Sequence, residues 1–93
     1  MALRFEWDHK KADANFRKHS VSFEEAITVF GDILSLTIAD EVHSAEEERW
    51  VILGFSDRGR PLVVVHVELD DAIRIISARE ATSKERKSYE GGR

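Results

Sequence analysis

The chain has no cysteine, a single proline and no long apolar run among its 93 residues. The lack of cysteine excludes a disulfide framework, a thiol nucleophile and a thiolate metal site. No segment reaches the roughly 18 apolar residues that a transmembrane helix needs. The first residues also lack the apolar stretch of a secretory signal. We therefore expect a cytoplasmic protein that does not enter a membrane and whose fold is held by packing alone.

The length indicates one domain, covering residues 1–93. A hydrophobic fraction of 42% with 34% charged residues is typical of a globular domain and excludes a disordered chain. A domain of this size buries only a modest core, so we expect marginal stability.

Charge is unevenly distributed along the chain, whose net charge is −4. Residues 1–21 and 74–93 together carry a net charge of +5, and residues 22–73 carry −9. If the two ends meet in space, they form a basic surface that binds phosphates beside an acidic one. The alternative is that both ends are simply solvated helices.

The periodicity of apolar residues predicts the order β-α-α-β-β-β-β-α. Strands joined by tight turns favour a mostly antiparallel sheet of about four to five strands, with two helices packed on one face and a short C-terminal helix. This is an α+β fold. Strands are predicted at 5–7, 33–38, 49–55, 62–69 and 72–78. The first helix runs from the Asp8 cap to about His19, with Ala12 and Phe16 buried. The second runs from the Ser22 capping box to Gly31, and the Thr82 capping box opens the last one.

Alternation along two strands predicts which side chains share a face of the sheet. In the strand at 62–69, His66 falls on the more polar face, and the opposite face suits a core under the helices with Val63, Val65 and Val67. In a regular strand at 72–78, Arg74 and Arg79 point to opposite faces, so both cannot line one site. Periodicity leaves open which face of that strand is buried.

Two blocks of residues resemble the BrnT family of toxins. The similarity runs from Phe5 to Tyr89, and one departure is Ser20, where many relatives have glycine. The first block is Phe5-Glu6-Trp7-Asp8, Lys11, Asn15, Lys18-His19 and Val21-Ser22-Phe23-Glu24-Glu25-Ala26; the second is Arg49-Trp50, Leu53-Gly54, Arg74-Ile75-Ile76-Ser77-Ala78-Arg79-Glu80-Ala81-Thr82, Glu85-Arg86 and Tyr89.

The resemblance implies a RelE-like fold, an RNA substrate and endoribonuclease activity. It also implies a ribbon-helix-helix antitoxin of the BrnA kind, through which alone the toxin reaches operator DNA. The chain offers few His, Asp and Glu pairs at metal spacing, so we expect no metal and no cofactor. The expected chemistry is attack of the ribose 2′-OH on the adjacent phosphate, giving a cyclic phosphate.

Arg79 is the first catalytic candidate because its planar guanidinium can bind a phosphate through two hydrogen bonds. The alternative is a structural salt bridge to an acidic strand. Arg49 is a further candidate, with phosphate contact and a surface ion pair equally open. His66 is a catalytic candidate too, although a lone strand histidine is more often structural.

Lys18 and His19 are catalytic candidates at the end of the first helix. Lys11, Asn15 and Lys18 form one polar stripe, so Lys11 is a candidate for RNA binding. The alternative is that Lys18 and His19 only favour the helix dipole and cap its carbonyls.

Further RNA-binding candidates lie in the C-terminal part of the chain: Arg74, Arg86 and Tyr89. Trp7 and Trp50 are more typical of core residues than of stacking platforms. The acidic run Glu46-Glu47-Glu48 is either a solvated face or a docking surface for a basic antitoxin segment.

Two functions of different classes remain after these assignments. The first is an endoribonuclease toxin that arrests growth. The second is an inactive, toxin-like binding module that holds an antitoxin and tunes operon repression. A stand-alone DNA-binding protein is disfavoured by the net negative charge and the lack of a convincing helix-turn-helix.

Overall fold

The computed structural model describes residues 4–41 and 47–91. Its elements are β1 (Phe5–Glu6), α1 (His9–His19), α2 (Phe23–Ala26), a 3₁₀ helix (Ile27–Gly31), β2 (Leu36–Ala39), β3 (Trp50–Phe55), β4 (Pro61–Glu68), β5 (Ile73–Glu80) and α3 (Ser83–Gly91). In this part of the chain no helix is both long and apolar enough to cross a membrane.

The described strands form one five-stranded sheet in the order β1-β5-β4-β3-β2. The pairings from β2 to β5 are antiparallel, while β1 runs parallel to β5. The α+β class is confirmed, and the sheet is mixed rather than wholly antiparallel. The parallel pairing joins strands near opposite ends of the chain. Tight turns indicate pairing only between consecutive strands, so the sequence pattern did not predict it.

The three predicted N-cap residues are confirmed, although the capping box is complete only at α3. The carboxylate of Asp8 accepts the Lys11 amide at 3.0 Å, and the hydroxyl of Ser22 accepts the Glu25 amide at 3.0 Å. At α3, Thr82 and Glu85 bond each other reciprocally. Each cap needs only residues three apart in sequence, which is why the pattern located all three.

The strand predicted at 33–38 begins three residues later, at Leu36. Asp32 folds the intervening segment into a turn, since its Oδ1 accepts the Leu34 amide at 3.0 Å and its carbonyl accepts the Ser35 amide. Ile33 is therefore 95% exposed, although its side chain is β-branched and apolar. A local side-chain bond here competes successfully with strand formation.

The core lies on the opposite face of the sheet from the one predicted. The helices pack on the face of β4 that carries Leu62, Val64 and His66, all of them buried. Val63 and Val65 point to the other side. Both sets of β4 residues are largely apolar, so alternation defined the two sets but not which one the helices cover.

Strand β5 is irregular, which corrects the prediction that Arg74 and Arg79 face opposite ways. Val65 pairs with Ser77 and His66 with Ile75, so one extra residue, Ile76, lies between these pairs. This bulge shifts the alternation by one residue. Arg74 pairs with Val67 and Arg79 with Val63, so both arginines share the face of those valines.

The buried side of α1 also differs from the prediction, since Phe16 is 54% exposed and Asn15 is buried. The Asn15 amide donates to the carbonyls of Val21 and Ala78, and its Oδ1 accepts the Ala78 amide. Asn15 thus bonds the backbone of β5 as a neighbouring strand would, which accounts for the burial of a polar residue.

Candidate active site

A cleft of about 530 Å³ opens on the face of the sheet that α1 and α2 leave uncovered. Its apolar lining comes from strands β2 to β5, and its polar lining combines two arginines, two carboxylates and a serine. The lining residues are Ile38, Asp40, Arg49, Val51, Val63, Val65, Ile76, Ser77, Arg79 and Glu85. The sequence analysis assigned this face of β4 to the core.

Arg79 reaches the cleft from β5 and is bound by Glu85 of α3 through two parallel hydrogen bonds. The distance from Nη1 to Oε1 is 2.8 Å and that from Nη2 to Oε2 is 2.9 Å. Nη1 also donates to the carbonyl of Glu80 at 3.3 Å. The salt bridge foreseen as the alternative therefore exists, but its partner lies on the last helix rather than on an acidic strand.

The contact between Arg79 and Glu85 keeps both side chains ionised. Hydrogen bonding to Arg79 lowers the pKa of Glu85 to about 2, with the Thr82 amide contributing in the same direction. Bonding to Glu85 raises the pKa of Arg79 above its usual value. The guanidinium carries its charge at every physiological pH.

Arg49 lies directly before β3 and lines the same cleft as Arg79. The structure thus brings together two of the five predicted catalytic residues. The valines between them keep the floor of the cleft apolar, which strengthens electrostatic contacts made above it.

The other three predicted catalytic residues are not part of the cleft lining. Lys18 and His19 end α1, which packs on the opposite side of the sheet, and Lys11 is exposed on the same helix. His66 is 1% exposed in the core, with its ring edge-to-face against Phe30 at 4.9 Å. Burial lowers the pKa of His66, which favours the neutral form of the ring.

The predicted RNA-binding residues of the C-terminal region make contacts within the protein. Nε of Arg74 is 3.2 Å from a Glu6 carboxylate oxygen, and the guanidinium of Arg86 stacks over Phe55. Tyr89 is 2% exposed and donates its hydroxyl to Asp32 at 2.8 Å. Burial of Tyr89 argues against the RNA contact that the sequence analysis predicted for it.

The remaining sequence candidates are the aromatic Trp7 and the acidic run Glu46-Glu47-Glu48. Trp7 packs edge-to-face on Phe23 beside the core, as expected for a structural aromatic. Of the acidic run, Glu46 lies outside the described residues, Glu47 is 3.8 Å from Arg74, and Glu48 is exposed.

Sequence reasoning missed two acidic partners of arginine. Glu85 was recognised only as a capping residue, although it also holds Arg79. Glu25 does not complete the capping box of α2: it accepts from Nε of Arg60 at 3.0 Å and from the Ser56 hydroxyl at 2.7 Å. Hydrogen bonding to Arg60 lowers the pKa of Glu25. No sequence spacing signals a contact 35 residues apart.

Comparison with known proteins identifies the family to which the chain belongs. Residues 7–85 match the family described as the ribonuclease toxin, BrnT, of type II toxin-antitoxin systems. The chain belongs to the BrnT family. The match covers most of both blocks on which the resemblance was based, leaving out Phe5 and Glu6 at one end and Arg86 and Tyr89 at the other.

A solved structure shows the same fold as this BrnT chain. The 1.1 Å crystal structure of the Brucella abortus ribonuclease toxin, BrnT, superimposes with a TM-score of 0.68 at 18% sequence identity. The alignment covers 88% of this chain and 100% of the Brucella chain. No curated protein sequence matches significantly.

Proposed function

We propose that this BrnT chain is an endoribonuclease toxin whose cleft, lined by Arg49 and Arg79, binds the phosphate to be cleaved. The observation that carries the proposal is the convergence of these two arginines on one cleft in a member of a ribonuclease toxin family. Two guanidinium groups above an apolar floor suit the crowded, negatively charged phosphate of a cleavage transition state.

The proposed reaction uses the RNA's own 2′-OH as nucleophile. Its oxygen bonds to the adjacent phosphorus, the bond from phosphorus to the 5′ oxygen breaks, and the products are a 2′,3′-cyclic phosphate and a free 5′-OH. The 2′-OH loses its proton and the leaving oxygen gains one. Arg79 and Arg49 stabilise the developing charge, and the proposal needs no metal ion. In the cell this activity arrests growth until a ribbon-helix-helix antitoxin covers the toxin.

The test is induction of the chain alone in a bacterial host, beside Arg79→Ala and Arg49→Ala variants. We expect growth arrest with RNA cleavage for the natural chain. Loss of a guanidinium that stabilises the transition state lowers cleavage by about a hundredfold. Analysis of the cleaved ends distinguishes a cyclic phosphate from a free 3′-OH.

The matched control is Arg17→Ala, which removes an exposed arginine from α1, outside the cleft. Circular dichroism establishes that each variant is folded. Arrest that persists in a folded Arg79→Ala variant removes Arg79 from the site. A natural chain that is well expressed and neither arrests growth nor cleaves RNA is instead the inactive binding module.

A further inference from the structure

We propose that Glu85 is a positioning residue for Arg79: it holds one edge of the guanidinium and leaves the adjacent edge for an RNA phosphate. The proposal rests on the function proposed above. It gives Glu85 a second role beside capping α3 and makes α3 part of the ribonuclease site.

The geometry of the guanidinium carries this inference. A guanidinium has two edges that can each bind an anion through two parallel N–H groups: Nη1 with Nη2, and Nε with Nη2. Glu85 occupies the first edge with contacts of 2.8 and 2.9 Å. Among the described residues, Arg79 makes its hydrogen bonds through Nη1 and Nη2 only. The Nε edge is therefore the one that a phosphate can take.

The surroundings of Glu85 restrict its movement. Its Oε1 accepts the Thr82 amide at 2.9 Å, so the carboxylate is bonded to the start of α3 as well as to Arg79. Its side chain is 33% exposed, and that of Arg79 is 41% exposed. A long arginine side chain loses considerable freedom when it is ordered. Glu85 has already ordered Arg79 before RNA arrives, which lowers the cost of binding.

If Glu85 instead competes with RNA for Arg79, the expected change in cleavage rate has the opposite sign. If its carboxylate occupied the edge that RNA needs, it would compete with the phosphate, and removing its charge would speed cleavage. Positioning predicts the reverse, because an arginine that loses its anchor samples many orientations. The sign of the change in rate therefore separates the two roles.

The experiment compares Glu85→Gln with Thr82→Ala in cleavage of a short single-stranded RNA. Glutamine is accepted at this position of a capping box, so Glu85→Gln retains the helix cap but weakens the paired bonds to Arg79. Thr82→Ala weakens the cap and leaves the Arg79 contact intact. We expect Glu85→Gln to lower kcat/KM by at least about tenfold, and Thr82→Ala to leave kcat/KM of the folded protein unchanged.

A binding measurement shows whether Glu85 acts through Arg79. The probe is the 2′-O-methyl form of the same oligonucleotide, which lacks the 2′-OH nucleophile. We expect Glu85→Gln to weaken binding of this probe in the natural background. In an Arg79→Ala background it has no further effect, because no guanidinium remains to be positioned.

Three outcomes overturn the proposal. The first is faster cleavage by Glu85→Gln than by the natural chain. The second is that Glu85→Gln weakens probe binding equally in the natural and the Arg79→Ala backgrounds. The third is that Thr82→Ala lowers kcat/KM as much as Glu85→Gln does. A natural chain that cleaves no RNA refutes the ribonuclease function but not the positioning role. In that case binding of the 2′-O-methyl oligonucleotide is the remaining test. If the natural chain and Glu85→Gln bind it equally well, the positioning role is refuted too.

Discussion

Ser20 ends α1 in the left-handed region of backbone space, with φ 58° and ψ 31°. Its amide donates to the Phe16 carbonyl at 2.8 Å, which closes the helix. The resemblance to the BrnT family made Ser20 a departure from glycine, and in the structure this position takes the conformation that glycine favours.

Ser20→Gly should therefore stabilise the protein, by up to about 1 kcal/mol, because glycine has no Cβ to clash in this conformation. Urea denaturation monitored by circular dichroism measures the change in the free energy of unfolding. Ser20→Ala is the control, since it removes the hydroxyl but retains Cβ, and it should not stabilise. Equal effects of the two variants would contradict the explanation from backbone strain.

Single residues were predicted well from sequence where the deciding contact is local. Asp8 and Thr82 cap their helices by bonding residues three positions away, and the pattern alone identifies such caps. The burial of Asn15 could not be predicted in this way. It depends on the backbone of Ala78, which is 63 residues distant. The same holds for Glu85, whose second partner, Arg79, lies across a turn.

Helix α3 is held to the sheet mainly by side chains. A nine-residue helix is unstable in isolation, so α3 depends on these tertiary contacts. Tyr89 packs against Phe55 at 5.5 Å between ring centroids and bonds to Asp32, and Glu85 is bound to Arg79. Because Glu85 belongs to this helix, the attachment of α3 also affects the cleft.

Tyr89→Phe should loosen α3 without unfolding the sheet. The change removes the hydroxyl bond to Asp32, worth about 1 kcal/mol, and retains the aromatic contact with Phe55. Amide hydrogens of α3 should then exchange about fivefold faster with solvent. Amide hydrogens of β4 should exchange faster only if the free energy of global unfolding also falls. Lys87→Ala, at an exposed residue of the same helix, is the control. Unchanged exchange in α3 would mean that the Asp32 bond does not hold the helix.

The positions of most helices and strands could be predicted from sequence. Which side chains share a face of the sheet, and which face the helices cover, could not. Strands β3 and β4 lie close to their predicted bounds because alternation and turn residues define them. The bulge at Ile76 reverses the expected relation of Arg74 to Arg79, and no residue type in β5 signals it. The cleft could therefore not be placed from sequence, although Arg79 and Arg49 were both candidates for it.

The two basic ends of the chain meet in the folded molecule. Strand β1 pairs with β5, and Asn15 of α1 bonds to Ala78. Part of the positive charge is balanced locally, as Arg74 lies beside Glu6 and Arg79 beside Glu85. Two cationic regions remain as candidates for RNA contact: the cleft, and the exposed stripe of α1 with Lys11 and Lys18.

The salt dependence of RNA binding separates these two regions. Each phosphate contact with a single strand contributes about −0.7 to the slope of log K against log salt, because a counterion is released. Binding through Arg49 and Arg79 alone therefore predicts a slope of about −1.4 for the 2′-O-methyl oligonucleotide.

Variants in each region test the assignment of the contacts. Fluorescence anisotropy over a series of NaCl concentrations should give Arg49→Ala a slope about 0.7 shallower than that of the natural chain. The double variant Lys11→Ala with Lys18→Ala should retain the full slope, since α1 packs on the other side of the sheet. The reverse result, a shallower slope only in the α1 variant, would move the RNA from the cleft to the helix. It would also leave the contact between Glu85 and Arg79 as a purely structural one.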